Sequence, residues 1–449
     1  MSGAPQAGGA AGARSRDAYA RARQVLPGGT TRVTVERDPV PRYVSHGAGA
    51  WLHDLDGRRY LDLNNNYTAL IHGHAFAPVT EALQRQLRDG TAFANPTEHE
   101  IALAELLCGR VPGLDRLRFC NSGTEAVLFA VKAARAFTGR PAIAKVEGAY
   151  HGAYDWVEVS QASEPGTWGP AEAPSAVPYY RGMPEAVLGD VVTLRFNDAE
   201  GAARLIGAHA DRLAAVVLDP MPSRAGLVAP EPDFLAAVEA AARRHGILLI
   251  SDEVLNLRQG HGGAAARYGL QADLFALAKI IGGGLPIGAV GGRAEVMRVF
   301  DSSSGRPALP QGGTFAANPL SMVAGRAAMQ ALDQAALQRL EGLGDDLRRR
   351  LAAASMARQA PFTITGAASL FRIHPKRRPP REHRDAHCSP AEMAVLAELS
   401  RFCAGHGILL PRGTSGCLST PMGPAEVDLV VQVFERFLEE RADCYMELP

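Results

Sequence analysis

Lys279 is the side chain with the most chemistry to offer. It stands in Leu274-Phe275-Ala276-Leu277-Ala278-Lys279-Ile280-Ile281-Gly282-Gly283-Gly284-Leu285-Pro286, an apolar run that reads as a buried strand and then breaks into glycines. Burial disfavours an ammonium ion and lowers its pKa. It leaves the neutral amine that a Schiff-base nucleophile needs. A lysine alone could equally snorkel from the strand end to water, so its company decides. Asp252 follows the unbroken apolar run of Gly246-Ile247-Leu248-Leu249-Ile250-Ser251-Asp252-Glu253-Val254. Such a run predicts a parallel-sheet strand covered on both faces. Asp252 then falls at the carboxyl end, the edge where open α/β sheets bind ligands.

A carboxylate so placed can hold a pyridinium nitrogen protonated, which makes pyridoxal phosphate (PLP) an electron sink. It can also be a plain helix N-cap. Ser122-Gly123-Thr124 lies on a turn ahead of a helix whose buried face is read as Ala126, Phe129, Ala130, Ala133, Ala134 and Phe137. Backbone N–H groups and hydroxyls at such a turn suit an anion, although an ordinary Ser/Thr cap explains the tripeptide as well. Tyr150, in Lys145-Val-Glu147-Gly-Ala-Tyr150-His151-Gly152, could stack on a planar ring or pack in the core.

Together these residues resemble a known family. Asn121-Ser-Gly-Thr-Glu125, Tyr150-His151-Gly152, Asp252-Glu-Val254, Lys279 with its glycines, and Gly313-Thr314-Phe-x-x-Asn318-Pro319 occur in one order. They resemble the class III, fold-type I PLP aminotransferases, with the glutamate-1-semialdehyde aminomutase group nearest. The likeness runs from about Val25 to about Val430. It implies that Lys279 carries PLP as a Schiff base and shuttles the proton, and that Asp252 pairs with the ring nitrogen. Tyr150 and Val254 would cover the ring's two faces. Ser122, Gly123 and Thr124 would hold the phosphate, with His151 also in the cofactor site. Thr314 would reach the phosphate of the neighbouring subunit, which makes a homodimer with shared sites the expected unit.

The elements that must position these residues follow from alternation along the chain. From about Pro78 to Ala324 short apolar strands alternate with helices, as in a mostly parallel sheet with helices on both faces. We expect an α/β fold, with residues 76–325 as the large PLP-binding domain. Residues 16–75 and 326–449 would form one small α+β domain from both chain ends. Residues 1–15, rich in Gly and Ala, read as disordered. Helices are expected over Asp17–Leu26, Phe234–Arg244, Ala331–Ala354, Pro390–Ala404 and Ala425–Arg441.

Composition narrows the partners. Lys+Arg and Asp+Glu are equal at 47 each, so no global field favours nucleic acid or an anionic membrane. No apolar run approaches a membrane span, and no apolar signal core is seen at the start. The six cysteines show no C-x-x-C spacing and read as reduced thiols of a cytoplasmic protein. Lys376-Arg-Arg-Pro-Pro-Arg381 has no interleaved aromatics and reads as a solvated insertion rather than a nucleic-acid patch. His72-Gly73-His74 lacks the company of a metal site and reads as a turn; no metal is expected.

Substrate choice departs from the nearest likeness. The aminomutases carry a glutamate in the C-terminal segment where this chain has Arg412. Arg412 with Arg32 resembles the β-phenylalanine aminotransferases, which use arginines at the matching places for substrate carboxylates. A guanidinium fork binds a carboxylate bidentately; a surface ion pair is the plainer role. Tyr67 stands where aminomutases often have tryptophan. Asp219-Pro220 replaces the family's Glu-Pro, and Arg224 falls where a ligand to the cofactor's O3′ is usual. The expected activity is amino transfer between a carboxylate-bearing amino acid, β-amino acids included, and a 2-oxo acid such as 2-oxoglutarate or pyruvate. The alternatives are a 2,1-aminomutase, an aminotransferase acting on a β-ketoacyl thioester, and a non-catalytic PLP-fold binding protein.

Overall fold

The computed structural model describes residues 11–37 and 39–448. The chain divides into two compact units. The large one holds Pro78–Gln338 and, returning much later, Pro380–His387. The other takes the chain up to Ala77, Arg339–Pro379 and everything from Cys388.

The large unit is built on seven strands: β1 (Arg116–Cys120), β2 (Ala142–Val146), β3 (Val191–Leu194), β4 (Leu213–Leu218), β5 (Leu248–Asp252), β6 (Leu274–Ala278) and β7 (Gly288–Gly292). Their order is β1-β7-β6-β5-β4-β2-β3. All neighbours run parallel except β7, which is antiparallel to both β1 and β6. Every residue of β2, β4, β5, β6 and β7 is buried. That explains apolar runs without alternation: both faces are covered.

The helix Gly123–Thr138 follows β1 and buries Ala126, Val127, Ala130, Val131, Ala133 and Ala134. The expected face is thereby corrected at one end. Phe137 is 37% exposed, because it lies in the last turn, just before the Gly139 cap. Gly288 on β7 lets this helix start close to the sheet. A Cβ there would lie 2.1 Å from the Ser122 carbonyl oxygen, so a larger residue would push the turn away.

The returning segment is held side chain by side chain. Arg381 takes Glu231 at 2.7 Å, and Glu382 pairs with Arg195. The ring Nε2 of His383 lies 2.9 Å from the Ser163 carbonyl oxygen. Arg384 donates to Glu147 at 2.7 Å and to the carbonyls of Trp168 and Gly169. Lys376 meets Glu392 at 2.9 Å. The basic stretch expected to be solvated is therefore anchored at both ends, with Arg377 and Arg378 exposed between.

In the other unit, strands Val44–Ala48, Trp51–Asp54 and Arg59–Asp62 form an antiparallel meander, joined in parallel by Ile408–Leu409. A second sheet pairs Thr363–Thr365, Leu370–His374 and Ser415–Cys417. The helix Pro390–Gly405 opens with a Ser389/Glu392 capping box, and Pro424–Glu440 lays down a row of buried valines and phenylalanines. The first helix starts at Ala13, inside the stretch expected to be disordered, because the Asp56 carboxylate accepts the N–H groups of Arg14 and Ser15. The rest of that stretch, residues 1–10, lies outside the described residues. No described helix is long and apolar enough to cross a membrane.

Candidate active site

The carboxyl ends of β4, β5 and β6 meet the start of the helix Gly123–Thr138 around a cavity of about 300 Å³. Its wall includes Ser122, Gly123, Thr124, Tyr150, His151, Asp252, Val254 and Lys279. Eight of the singled-out residues thus share one cavity. It also includes Asn121, Asp219, Ser223, Leu285 and Ile287.

Asp252 ends β5 and is buried. Its Oδ1 accepts the Val254 N–H at 3.0 Å, and its Oδ2 lies 2.7 Å from Nδ1 of His151. Burial pushes the His151 imidazole below its ordinary value, against the raising effect of Asp252. A neutral ring that donates through Nδ1 orients the Asp252 side chain. Asp219, just past β4, is pushed well above the usual carboxylate range by burial and then by the charge of Asp252. Its Oδ1 accepts the Met221 N–H and the Asn256 side-chain amide. The two acids therefore differ in their surroundings: Asp252 is held by a histidine ring, whereas Asp219 is held by amide donors and pushed upward by burial and by its neighbour Asp252.

At the opposite end, Ser122 Oγ caps the helix by accepting the Glu125 N–H at 3.1 Å. Thr124 Oγ1 accepts the Ala153 N–H at 3.1 Å. The cap role is thus real, and the helix's first turn begins in the cavity wall. Nothing larger than glycine fits the cradle. A Cβ on Gly123 would meet Val254 at 2.8 Å, and one on Gly152 would meet Thr124 Oγ1 at 2.5 Å.

Lys279 is the first residue after β6 and has φ of +54°. A left-handed lysine costs roughly 1–2 kcal/mol, and such strain persists where the surroundings over-determine it. Tyr150 is 44% exposed, and the Arg224 guanidinium lies over its ring at 4.3 Å.

The remaining singled-out residues lie elsewhere. Thr314 is exposed on a turn and is not part of this cavity's wall. Arg32, Tyr67 and Arg412 belong to the other unit. There Arg32 donates to Asn66 Oδ1 at 2.9 Å and lies over the Tyr67 ring, Tyr67 shares a hydrogen bond with Thr34, and Arg412 meets Glu36 at 3.2 Å. Asn65, Asn66, Tyr67 and Thr68 all have positive φ. The two asparagines tolerate this backbone, whereas Tyr67 and Thr68 are strained.

The class-III aminotransferase family matches residues 33–412. The chain belongs to that family. It is similar to an ω-transaminase from Sphaerobacter thermophilus, with 51% identity, a TM-score of 0.94 and coverage of 96% of this chain and 98% of that one. A β-phenylalanine aminotransferase from Variovorax paradoxus is 32% identical, with a TM-score of 0.86 and coverage of 96% and 95%. The glutamate-1-semialdehyde 2,1-aminomutase of Methanothermobacter thermautotrophicus is 37% identical over 90% of this chain and 93% of its own length.

The enzyme is PLP-dependent, and its cavity fits that group. A glycine cradle and the N-terminus of a 16-residue helix suit a phosphate. A buried carboxylate suits a protonated ring nitrogen, a lysine is within the same wall, and Tyr150 and Val254 offer apolar faces. Sequence reasoning noted Asp219 only as a departure from the family's Glu-Pro, and it gave no role to Ser223 in the wall or to Asn256, which holds Asp219 from behind. For Asp219 the signal was available: it follows an apolar strand just as Asp252 does.

Proposed function

We propose that the enzyme is a transaminase that moves an amino group between a carboxylate-bearing amino acid, β-amino acids included, and a 2-oxo acid, either 2-oxoglutarate or pyruvate. Lys279 would hold PLP covalently through Nζ and would move the proton at the substrate carbon that bears nitrogen. Asp252 would keep the ring nitrogen protonated, with His151 orienting Asp252. Tyr150 and Val254 would cover the ring's faces, while Ser122, Gly123 and Thr124 would hold the phosphate. When bound, PLP supplies the sink for the electron pair released at the reacting carbon.

What supports a carboxylate substrate is the pair of exposed guanidinium groups, Arg32 and Arg412, in one unit. Glu36 and Arg412 are 376 residues apart in sequence and in contact, so the fold joins the segment that carries Arg32 to Arg412. We assign both arginines, with Tyr67 beside Arg32, to substrate carboxylate binding. The working unit is a homodimer in which the exposed Thr314 serves the phosphate of the neighbouring subunit. The described cysteines are all free thiols, which supports a cytoplasmic setting.

The test is an amino-donor screen with 2-oxoglutarate and pyruvate as separately varied acceptors. Keto product should form only with an acceptor present, mole for mole. A second reading, a 2,1-aminomutase, draws support from the Methanothermobacter relative. Isomerisation of an amino aldehyde with no acceptor would favour it.

A further inference from the structure

Lys145 has no part in the chemistry above, and its setting is specific. It stands near the end of β2 and is fully buried. Its Nζ donates to three backbone carbonyls, those of Val146 at 3.1 Å, Ala149 at 3.2 Å and Val159 at 2.8 Å. Three acceptors match the three N–H bonds of an ammonium, whereas a neutral amine offers two. The three carbonyls bracket one loop. Val146 ends β2, Ala149 precedes Tyr150, and Val159 lies just past the short helix Asp155–Glu158. One side chain thus closes both ends of the loop that carries Tyr150 and His151 into the cavity wall.

The same loop is held from behind. Gly148 has φ of +74°, and its N–H donates to the Ser160 carbonyl at 2.8 Å. A Cβ there would lie 2.2 Å from Nδ1 of His383, so the imidazole of the returning segment fills the space a side chain would take. Burying an ammonium is costly. Burial pulls Lys145 down to about 7 from 10.5, and the charge of Glu147 acts against it. Glu147 is itself buried, with Ser163 Oγ and Arg384 on its carboxylate. The other titratable groups facing Lys145 are His151 and His383, both lowered first by burial and further by the Lys145 charge.

Resting on the site reading above, we propose that Lys145 is a positioning residue: its ammonium ties the loop shut and so fixes Tyr150 against the cofactor's ring and His151 against Asp252. The brace belongs to the protein and does not wait for the cofactor. When the proton leaves, one carbonyl loses its donor, so the tie loosens as pH rises.

The experiment measures amide hydrogen exchange in the full-length chain, with and without PLP, for wild type, Lys145→Met and Arg110→Met. Arg110 is the control. It too is a buried cation on three carbonyls, those of His261, Met329 and Leu332, and it is not part of the cavity wall. In wild type at pH 6 without PLP, the Gly148 and Ala149 amides should be protected nearly as well as those of β2. Between pH 6 and pH 9 that protection, taken relative to β2, should fall about tenfold, the worth of one hydrogen bond to a charged group. Lys145→Met should lack it at both pH values. With PLP bound and well below its Tm, Lys145→Met should lose kcat by about tenfold or more and change the visible circular dichroism per bound cofactor. Arg110→Met should lose Tm alone. Gly148 and Ala149 amides that exchange freely until PLP binds, or a wild-type protection that pH does not move, overturn the proposal even if Lys145→Met does not fold. A Lys145→Met enzyme that loses Tm alone, as Arg110→Met should, overturns it too. A chain that takes up no PLP would sink the site reading, and the exchange measurements would still decide the tie.

Discussion

His151 holds Asp252 through a 2.7 Å hydrogen bond in which both side chains are removed from water. The imidazole is kept neutral by burial, so it orients the carboxylate without neutralising it. Replacing His151 with Phe keeps bulk and removes the donor. We expect kcat to fall by about tenfold to a hundredfold, the worth of a hydrogen bond to a charged group, with Tm changed little. Asp252→Asn should fall further, because it removes the charge itself. A His151→Phe enzyme within twofold of wild type would contradict this role.

Lys279→Ala should retain PLP only non-covalently. Borohydride reduction followed by mass spectrometry should find the cofactor fixed to Lys279 in wild type and lost on dialysis from the variant. PLP fixed at another lysine would remove Lys279 from its assigned role.

Arg412 is already paired with a carboxylate, that of Glu36. An incoming acid must therefore compete with it. Glu36→Gln should lower KM for the oxo acid by a few-fold, as an exposed pair is worth about 0–1 kcal/mol. Arg412→Ala should raise that KM strongly and affect neutral amine donors less. The check is steady-state kinetics over a range of oxo-acid concentrations; a KM that neither substitution moves would separate Arg412 from substrate binding.

Glu253 sets a pH dependence of stability. Burial pushes its carboxyl up to about 7 from an ordinary 4.5, against the lowering effect of the Ala264 and Ala265 N–H groups. Between those values the folded chain keeps a proton that the unfolded chain has released. Stability therefore falls as pH rises through about 4.5 to 7 and levels off above. The shift corresponds to roughly 3 kcal/mol. Urea unfolding at pH 5 and pH 8 should show this slope in wild type and a flatter one in Glu253→Gln. That variant loses an acceptor at every pH, so the slope rather than the absolute stability is the readout.

The Arg384–Glu147 pair joins a largely buried guanidinium to a carboxylate with no solvent contact. Removing one partner of such a pair costs about 3–5 kcal/mol. Arg384→Ala should lower Tm accordingly, and it should also slow turnover, because Glu147 leads directly into the loop carrying Tyr150 and His151. A double-mutant cycle with Glu147→Gln should return part of the loss.

The core of this site was legible because it is local. Asp252 and Lys279 each follow an unbroken apolar strand, and Ser122 opens an apolar-faced helix, so strand ends and a helix start announce themselves over a few residues. What depends on long-range pairing was not. The buried Asp219–Asn256 contact, the left-handed turn at Asn65–Thr68 and the antiparallel β7 leave no period to read. The anchoring of Arg381 and Arg384 was hidden for the same reason: an arginine held by a distant glutamate looks, in sequence, like an arginine in water.

The late return of Pro380–His387 to the large unit bears on synthesis. A nascent chain that has emerged as far as Gln338 already contains every strand of the seven-stranded sheet, yet Glu147 has no arginine to meet. At about 5–20 residues per second, the ribosome takes seconds to deliver Arg384. Over that interval the newborn large unit must leave Glu147 without its arginine or stay open around it, and it is then that a chaperone would find it.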